Sequence, residues 1–541
     1  MKEIHADVVI VGGGTGGFAA ALAAARVGKD VVVTEETDWL GGQLTSQGVP
    51  PDEHRWIEQF GCTRSYRRFR EGVRVCFRDH FPLKGETLVE PRFQLGGALV
   101  SRVPSPPEVA WKVLEQLVIP HKMSGRVRVL LESRPVAAET EGDRVTSVTV
   151  ERSRVGLRTV LTAPYFLDAT ETGEVLRLTG TEYVTGSESR EETGEPHAPE
   201  RADPLDMQAI TYCFAVDYLP GEDHTIGKPE NYGFWREFRP DFWPDKMFSW
   251  RAPDPPSAGP RHRPSGVGHA PPGARPEPGV RHMSLFPEEG KFPLWTYRRL
   301  IEKEQFLPGT FRSDITLVNW PQNDYFLGPV FEVDDKVAAQ NLHAARQQSL
   351  SLLYWLQTEA PRPDGDIGYP GLRLRADLMD TVDGLAKYPY IRESRRIRAE
   401  RTVLEQDISP EVRPNGPVKF EDSVGVGAYR IDLHPSTGGR NYIDVPSYPF
   451  QIPLGSLIPV RVDNLLAASK NIGTTHVTNG CYRLHPVEWN VGEVAGALAA
   501  HCVHSGLVPR QVRNYPSLLS DFQQVLTDEG VELDWPRIRP L

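Results

Sequence analysis

Cysteine is scarce in this sequence, and its pattern excludes two common uses of the residue. Five cysteines occur among 541 residues, and no two of them form a CxxC pair. An odd number of scattered cysteines predicts neither a disulfide framework nor a redox dithiol. We therefore expect free, mostly buried thiols.

Long apolar runs are also missing. No stretch approaches the roughly 20 apolar residues that span a bilayer. The N-terminus lacks the positive flank and the cleavage site of a signal peptide. These absences predict a cytoplasmic protein that does not associate with membranes.

An excess of positive charge is absent as well. Lys and Arg number 61 against 72 Asp and Glu, for a formal net charge of -11. Nucleic-acid binding calls for a basic face, so we expect no nucleic-acid partner. The 15 histidines show no HExxH or paired-ligand spacing, and we expect no metal.

The strongest positive signal lies at residues 8–35. Val8 to Val11 form a short apolar run typical of a buried parallel strand. The segment continues through a glycine cluster, an alanine-rich helix, a second apolar strand at 31–33, and Glu35. This order predicts a dinucleotide-binding βαβ unit.

Each glycine of the motif has a distinct task. Gly12 permits a tight turn, Gly14 lets the backbone approach a pyrophosphate, and Gly17 lets the helix lie close to the sheet. The helix N-terminus then favours an anion through its free N–H groups and its dipole. Glu35 stands where a ribose hydroxyl is held.

Further elements follow along the chain. Helical spacing appears at 55–75 and 107–119, and a third parallel strand is predicted at 126–132. A β-meander at 135–162 precedes a strand at 164–168 that returns to the parallel sheet. The C-terminal part contributes a strand at 464–469, a polar loop, and a small-residue helix at 491–503.

With these segments in place, the chain resembles the FAD-dependent oxidoreductases of the glutathione-reductase-like superfamily. Four segments carry the resemblance: VVIVGGGTGG with Glu35, YFLDATETGEV at 165–175, YIRESRRI at 390–397, and 453–500. The nucleotide-like segments lie far apart and return to one sheet, which favours FAD over NAD. Glu171 and Glu174 depart from the family's DATGDG-like motif.

The resemblance implies an α/β fold with a discontinuous domain arrangement. A Rossmann-like FAD-binding domain, made of a parallel sheet plus β-meander, would comprise 1–60, 122–185, 380–400 and 445–510. A second, α+β substrate domain would comprise 61–121 and 186–440. Residues 251–280 are rich in Pro and Gly and predict a long loop or disordered insertion. Residues 511–541 would be a C-terminal extension.

The resemblance also implies a set of FAD-binding residues. Thr170 and Gly173 would approach the ribityl chain or pyrophosphate, and Val136 would meet adenine through its backbone. Gly492, expected at the start of the last helix, would direct N–H groups at the flavin N1–C2=O edge. The full expected set is Gly12, Gly14, Thr15, Gly17, Glu35, Glu36, Gly42, Gln43, Val136, Thr170, Gly173, Gly473, Asn490, Val491 and Gly492.

Candidate catalytic residues cluster in a segment expected to form the loop before the last helix. His485 is our predicted base, and His476 is the next candidate. A capping or carbonyl-binding role is the alternative for either histidine. Arg483 would clamp a carboxylate or stabilise an oxyanion, with a structural pair to Glu488 as its alternative.

Candidate substrate residues lie elsewhere in the chain. His54 would contact substrate or carry a covalent flavin link, and a surface loop is the alternative. Asn319, Asn323 and Tyr325 belong to NWPQNDY, which would line a pocket for a small polar ligand or build a tight turn. Glu393, Arg395 and Arg396 predict a buried ion-pair lattice.

The predicted function is dehydrogenation of a small polar organic metabolite by hydride transfer to flavin N5. The same scaffold also supports an oxidase, a monooxygenase or an ene-reductase. A flavin-binding protein with a structural or regulatory cofactor is an alternative of another class, and an NAD-dependent dehydrogenase is a third. The sequence does not determine the oligomeric state, and a homodimer is one alternative.

Overall fold

A computed structural model describes residues 2–254 and 279–536. Most of the Pro- and Gly-rich segment predicted at 251–280 lies outside these residues, as does the end of the extension predicted at 511–541. None of the helices in the described ranges combines the length and the apolar character that crossing a bilayer requires.

A parallel five-stranded sheet forms the centre of the molecule. Its strands lie in the order Leu465–Ala467, Tyr165–Asp168, Val8–Val11, Val31–Thr34 and Val127–Leu130. All neighbouring strands in it are parallel, and Val8 to Val11 are fully buried. The α/β class, the returning strand and the C-terminal strand are thus confirmed.

The predicted β-meander is a second sheet beside the first. Ser133–Glu141, Arg144–Arg152 and Leu157–Thr162 pair antiparallel in sequence order. Lys2–His5 adds a parallel strand to Leu157–Thr162, which the sequence pattern does not reveal. The pairing shifts between Pro135 and Ala137, so Val136 lies in a β-bulge.

A four-stranded antiparallel sheet separates two hydrophobic cores. Its strands are Arg299–Ile301, Ile315–Val318, Phe214–Tyr218 and Leu372–Leu374. Ala215 and Leu317 face the core of the parallel sheet, whereas Phe214, Val216 and Val318 face a second core rich in tryptophan. Because side chains alternate between the two faces of a strand, this one sheet contributes residues to both cores.

Smaller sheets complete the strand inventory of the described residues. One has Val280–Ser284 between Arg251–Pro253 and Phe292–Pro293. The others pair Tyr183–Val184 with Arg396–Ile397, Ser423–Gly427 with Phe450–Pro453, and Ile431–Leu433 with Ile443–Val445.

The helices of the described residues are numbered in chain order. They are α1 (Thr15–Arg26), α2 (Arg64–His80), α3 (Gly85–Leu88), α4 (Pro107–Met123), α5 (Glu174–Thr179), α6 (Arg190–Thr193), α7 (Tyr232–Glu237), α8 (Leu294–Tyr297), α9 (Asp335–Thr358), α10 (Ala376–Met379), α11 (Glu405–Ile408), α12 (His476–Tyr482), α13 (His485–Ser505), α14 (Pro509–Asn514) and α15 (Pro516–Asp528). Short 3₁₀ helices lie at Gly42–Leu44, Lys303–Gln305, Pro321–Asn323 and Leu454–Ser456.

Two helices lie in a different core from the one expected. The sequence assigns 61–121 to the substrate domain, but Phe69 and Phe77 of α2 and Leu114 of α4 are buried in the core of the parallel sheet. Phe522 and Leu526 of α15 join the same core. The apolar faces of these helices cover the sheet. Helical periodicity predicts that such a face exists but not which element it packs against. The division into two domains stays a prediction.

Helices α1 and α13 make the closest helix contact near the glycine turn. A Cβ on Gly492 would lie 1.9 Å from the Gly16 carbonyl oxygen, and one on Gly496 would lie 2.3 Å from that of Ala20. Gly16 and Gly492 therefore allow the two backbones to touch. This contact holds the N-terminal end of α1 in place.

Candidate active site

The glycine turn and the strand ends around it form a cleft. The cleft is bordered by Gly12, Gly14, Thr34, Glu35, Glu36, Ser46, Ser133, Pro135, Ala169, Thr170, Glu171, Thr172, Glu174 and Tyr388. The cleft thus joins the turn before α1, the end of the second strand, the meander edge and the turn before α5. An extended dinucleotide follows such a path in a Rossmann-like fold.

The glycine positions fit the tasks predicted for them. Gly12 has φ 100°, and a Cβ on it would lie 2.2 Å from the Ala169 carbonyl oxygen. A Cβ on Gly17 would lie 1.9 Å from the Gly12 carbonyl oxygen, which places α1 directly against the turn. No side chain fits at either position, so the backbone borders the cleft and is free to approach a pyrophosphate.

Glu35 lies at the end of its strand with a buried carboxylate. Its Oε2 accepts from the Gly13 amide at 3.2 Å, and its Oε1 accepts from the Thr37 amide at 2.9 Å. Burial raises the pKa of Glu35 to about 8. A carboxyl group at this position is suited to hold ribose hydroxyls.

The cleft is unusually acidic for a site that takes a pyrophosphate. Burial raises the pKa of Glu36, and burial together with Glu36 raises that of Glu174 to about 8. Glu171 stands beside them, with one carboxylate oxygen left without a hydrogen-bond partner.

The other expected cofactor residues lie at varied distances from this cleft. Thr170 borders it, and its hydroxyl caps α5 by accepting from the Glu174 amide at 2.7 Å. Gly42 faces Gly14 and Thr15 across the turn. Gln43 donates to the Arg483 carbonyl oxygen at 3.0 Å, and Gly173 and Gly473 pack against Arg395 and Arg401 respectively.

One part of the expected flavin environment is corrected. Helix α13 begins at His485, not near 491, so Asn490, Val491 and Gly492 lie inside the helix. Their amides are therefore enclosed by the helix, and Gly492 packs against Gly16 instead of directing an N–H group at the flavin. The small residues serve helix packing, and Pro486 at the first turn marks the actual start.

The segment expected to be one polar loop is also corrected, because it forms α12 and the first turn of α13. Thr475 caps α12 by accepting from the Thr478 amide at 3.1 Å. These helices point the candidate residues in different directions.

His485 is fully buried and bound by backbone groups on both ring nitrogens. Its Nδ1 accepts from the Asp52 amide at 3.1 Å, and its Nε2 donates to the Val49 carbonyl oxygen at 3.2 Å. Burial lowers its pKa to about 4. These contacts fix the loop at 49–52 and leave neither nitrogen open to a substrate.

His476 lies in a buried lattice of charges. Its Nδ1 faces Glu393 at 2.9 Å, and its Nε2 accepts from Arg440 at 2.7 Å. Arg396 pairs with the same Glu393 and with Glu188 at 2.8 Å. The ion-pair lattice predicted for Glu393 and Arg396 is present.

His54 is buried, although a surface loop was the alternative to a site role. Its Nε2 donates to the Gly61 carbonyl oxygen at 3.1 Å, and its ring meets Trp535 edge-on. Burial lowers its pKa to about 4. An aromatic cluster with Trp56 and Phe60 encloses the residue, and the C-terminal Trp535 could not be anticipated from the local pattern.

Two residues of the NWPQNDY segment make structural hydrogen bonds, and one keeps an unpaired donor. Asn323 closes a turn through the Trp320 amide at 2.9 Å, and Tyr325 donates to Asn341 at 2.8 Å. Asn319 accepts from Arg392 at 3.3 Å, while its Nδ2 has no partner. Only Asn319 among the expected substrate residues thus presents an open donor.

A buried group of charges and phenols, which we call the polar cluster, adjoins these residues. Its members are Arg298, Asp324, Tyr390, Arg392, Tyr429, Asp432, His434 and Arg483. Arg483 donates to Tyr390 at 3.0 Å and to the Asp432 carbonyl oxygen at 3.0 Å, rather than pairing with Glu488. Tyr429 has Arg298 and Asp432 among its electrostatic neighbours.

Several members of the polar cluster are desolvated but remain partly accessible. Burial raises the pKa of Tyr429 well above its ordinary value, yet the residue is only half-buried. The side chains of Asp432 and His434 likewise keep 29% and 21% of their surface exposed.

His434 is oriented by a carboxylate. Its Nδ1 donates to Asp324 at 2.7 Å, and Asp324 also pairs with Arg392 at 3.0 Å. Burial acts to raise the pKa of Asp324, but Arg392 and His434 hold it at about 2. The ionised Asp324 keeps the imidazole proton on Nδ1 and leaves Nε2 as an acceptor.

One extended segment joins the cleft to the polar cluster. Tyr388 borders the cleft, whereas Tyr390 and Arg392 lie in the cluster. The Ser46 carbonyl accepts from the Tyr388 amide at 3.0 Å, and Gln47 accepts from the Ile391 amide at 3.3 Å.

The sequence analysis did not select His434 as a candidate residue, because only its tertiary contacts distinguish it from other histidines.

Comparison with known proteins supports one family. The model of the family described as FAD dependent oxidoreductase matches residues 7–526. A comparison with curated proteins gave no match.

Solved structures show weaker similarity. The L-proline dehydrogenase from P.horikoshii is 18% identical over 34% of this chain and 24% of its own, with a TM-score of 0.19. The anhydrotetracycline hydroxylase OxyS from Streptomyces rimosus is 15% identical over 41% and 39%, with a TM-score of 0.25. This chain thus spans less than half the length of either protein.

The cleft meets the needs of the cofactor that this family uses. Glycines clear the backbone before α1, a carboxyl group stands at the ribose position, and the meander edge closes the far end. The family match covers nearly the whole chain, including all of these elements. The chain belongs to the FAD dependent oxidoreductase family, and its cofactor is FAD.

Proposed function

We propose that this enzyme dehydrogenates a small polar organic metabolite bound in the polar cluster, with His434 accepting the proton. The supporting observation is the Asp324–His434 pair at 2.7 Å, in which His434 keeps 21% of its side-chain surface exposed. FAD, when bound, supplies the hydride acceptor. The protein must then bind the substrate, orient it and remove a proton.

Open hydrogen-bond donors support a polar substrate. Arg298, Arg392 and Arg483 each retain an Nε–H group without an acceptor, as does the Nδ2 group of Asn319. Buried donors are costly when unpaired, so oxygen atoms of a substrate or of water are expected to satisfy them.

The pairing of charges adds a second constraint. Arg298 pairs with Asp52 at 2.8 Å, Arg392 with Asp324 at 3.0 Å, and Arg483 with Asp432 at 3.4 Å. The guanidinium charges are thus compensated, and the site needs no strongly charged ligand. Hydroxyl, carbonyl and carboxyl oxygens all remain suitable acceptors.

The proposed proton acceptor differs from the one that the sequence predicts. His485 stays a prediction as a base, but proton transfer there requires the loss of a backbone contact. His434 has Nε2 3.5 Å from Asp432, beyond a normal hydrogen bond, so this atom is open to a substrate hydroxyl.

Anaerobic stopped-flow reduction of the flavin tests this proposal. A panel of small alcohols, hydroxy acids and amino acids identifies a compound that bleaches the flavin absorbance. We expect His434→Asn to slow this reduction by about 100-fold or more, the usual contribution of a general base. The FAD content of the variant should equal that of the unchanged enzyme.

Two further variants make the result decisive. His343→Asn removes an exposed histidine and should leave the rate unchanged. His485→Asn should lower the free energy of unfolding and leave the rate of flavin reduction nearly unchanged. Unchanged reduction in His434→Asn together with loss in His485→Asn would return the base to His485.

The alternative reactions have separate signatures. An oxidase or monooxygenase consumes oxygen with the identified compound, and an ene-reductase reoxidises pre-reduced enzyme with an activated alkene. A structural cofactor is indicated if no compound of the panel reduces the flavin while dithionite does.

A further inference from the structure

The N-terminus of α1 is already surrounded by carboxylates of the protein. Glu35 binds the Gly13 amide at 3.2 Å, and Glu488 accepts from the Gly16 amide at 3.4 Å. The free oxygen of Glu171 lies 2.6 Å from the Cβ position of Gly14 and 2.7 Å from that of Gly42. A helix N-terminus attracts anions, and here carboxyl groups of the chain already stand around it.

Glu171 stands where the backbone is cleared for a cofactor. Its Oε1 is enclosed and has no hydrogen-bond partner, although Gly14 and Gly42 leave room around it. A buried carboxylate oxygen without a donor is costly. The position therefore favours a ligand that takes over the space and releases the side chain.

Lys470 is the cation that balances this group. The side chain is 1% exposed, and its ammonium group contacts Glu171 and lies 3.5 Å from Glu488. Burial acts to lower the pKa of Lys470, but Glu171 and Glu488 raise it to about 12. The ammonium group therefore remains charged beside the cleft.

The other charges around the cleft do not offer the same balance. Glu36 and Glu174 add carboxyl groups whose pKa values are raised by burial. Arg134 is more than half exposed, and Arg395 pairs with Glu332 at 2.5 Å. Lys470 is thus the buried cation that also contacts the residue filling the turn.

We propose that Glu171 acts as a competing anion for the pyrophosphate of FAD, and that Lys470 transfers its pairing from Glu171 to the cofactor. Binding then exchanges one carboxylate–ammonium pair for a phosphate–ammonium pair at the start of α1. Glu171, the departure from the family motif, weakens retention of FAD, and Lys470 strengthens it.

Release of FAD from the purified enzyme tests the proposal without any substrate. Flavin fluorescence rises when FAD leaves the protein after dilution, so the release rate can be followed directly. We expect Glu171→Gln to slow release by about tenfold, because one like charge near the pyrophosphate is removed. Lys470→Met should speed release by about tenfold or more, whereas Lys470→Arg should stay close to the unchanged enzyme.

A matched control and a double variant complete the experiment. Glu132→Gln removes a carboxylate that pairs with Arg152 and Arg154 outside the cleft, and should leave release unchanged. Glu171→Gln/Lys470→Met should release FAD faster than Glu171→Gln alone. This result distinguishes two roles of Lys470: binding the cofactor directly, or only neutralising Glu171.

Clear outcomes would overturn the exchange. Release from Glu171→Gln at or above the unchanged rate contradicts a competing carboxylate. A double variant that releases FAD as slowly as Glu171→Gln contradicts a direct role for Lys470. Because no substrate is involved, failure of the proposed dehydrogenation would leave these results intact.

Discussion

His485, which is buried, and His434, which is partly exposed, show how contacts separate residues of one type. His485 binds the Val49 carbonyl and the Asp52 amide, whereas His434 hydrogen-bonds to Asp324 and has Nε2 3.5 Å from Asp432. Neutral imidazole with two backbone partners organises a loop. Imidazole with one carboxylate partner can accept a proton and hold it.

The environment of His485 predicts a pH effect on stability. Its pKa is about 4 in the folded protein against an ordinary value of 6.5, so the folded state binds fewer protons. Its contribution is complete above pH 6.5 and is lost as the pH falls toward 4, by roughly 2 to 3 kcal/mol in all.

Urea unfolding between pH 4.5 and 7 checks this effect. The free energy of unfolding of the unchanged enzyme should fall more steeply with acidification than that of His485→Gln. At pH 7 the variant should be less stable by about 1 to 3 kcal/mol, because Val49 and Asp52 lose a partner. Equal slopes in both proteins would refute a buried neutral His485.

Asp324 is predicted to position His434 rather than to react. Asp324→Asn removes the charge that stabilises protonated His434, and we expect flavin reduction by substrate to slow by about 100-fold or more. Because the Asp324 carboxylate favours the protonated imidazole, its loss should move the midpoint of the pH–rate profile downward, and an unchanged midpoint would contradict this positioning role. A downward shift with normal FAD content is the expected result.

At the scale of elements, the contact of α1 with α13 determines the shape of the cofactor turn. Gly492→Ala places a methyl group 1.9 Å from the Gly16 carbonyl oxygen, so the helices must separate. We expect a loss of about 1 to 3 kcal/mol in the free energy of unfolding, together with weaker FAD retention.

Thermal unfolding and the FAD-to-protein ratio measure both effects. Gly233→Ala is the matched control, since a Cβ there meets nothing within 4 Å and lies in α7. A normal melting temperature and a full FAD content in Gly492→Ala would show that the helix contact tolerates a side chain.

Local pattern predicted the elements whose neighbours are close in sequence. The strand, glycine turn and helix at 8–26 and the meander were predicted because their partners follow within a few turns of chain. The start of α13 was misplaced, since small residues at 491–496 serve contact with α1 rather than mark a helix end. His434 and Lys470 depend on partners 110 and 299 positions away, which no local pattern contains.

At the scale of the molecule, a single ion pair joins the loop after the cofactor turn to the sheet between the two cores. Arg298 donates to both oxygens of Asp52 at 2.8 and 3.1 Å, and the side chains are 7% and 3% exposed. Such a pair holds two parts together chiefly because breaking it leaves one charge buried.

The Asp52–Arg298 pair therefore predicts a strong asymmetry between single and double variants. Asp52→Asn should lower the free energy of unfolding by about 3 to 5 kcal/mol, since Arg298 stays buried without its partner. Asp52→Asn/Arg298→Met should recover part of that loss. Urea unfolding of Asp52→Asn, Arg298→Met and the double variant measures the coupling, and simple additivity would contradict it.

The contact between Gly16 and Gly492 also has a consequence for synthesis of the chain. The amide of Gly16 binds a carboxylate 472 positions later, and the last strand of the parallel sheet begins at Leu465. A ribosome makes the cofactor turn first and the parts that hold it last. The contact of α1 with α13 therefore forms only after the last helices have been made, and apolar surface that α13 covers stays exposed on the nascent chain until then.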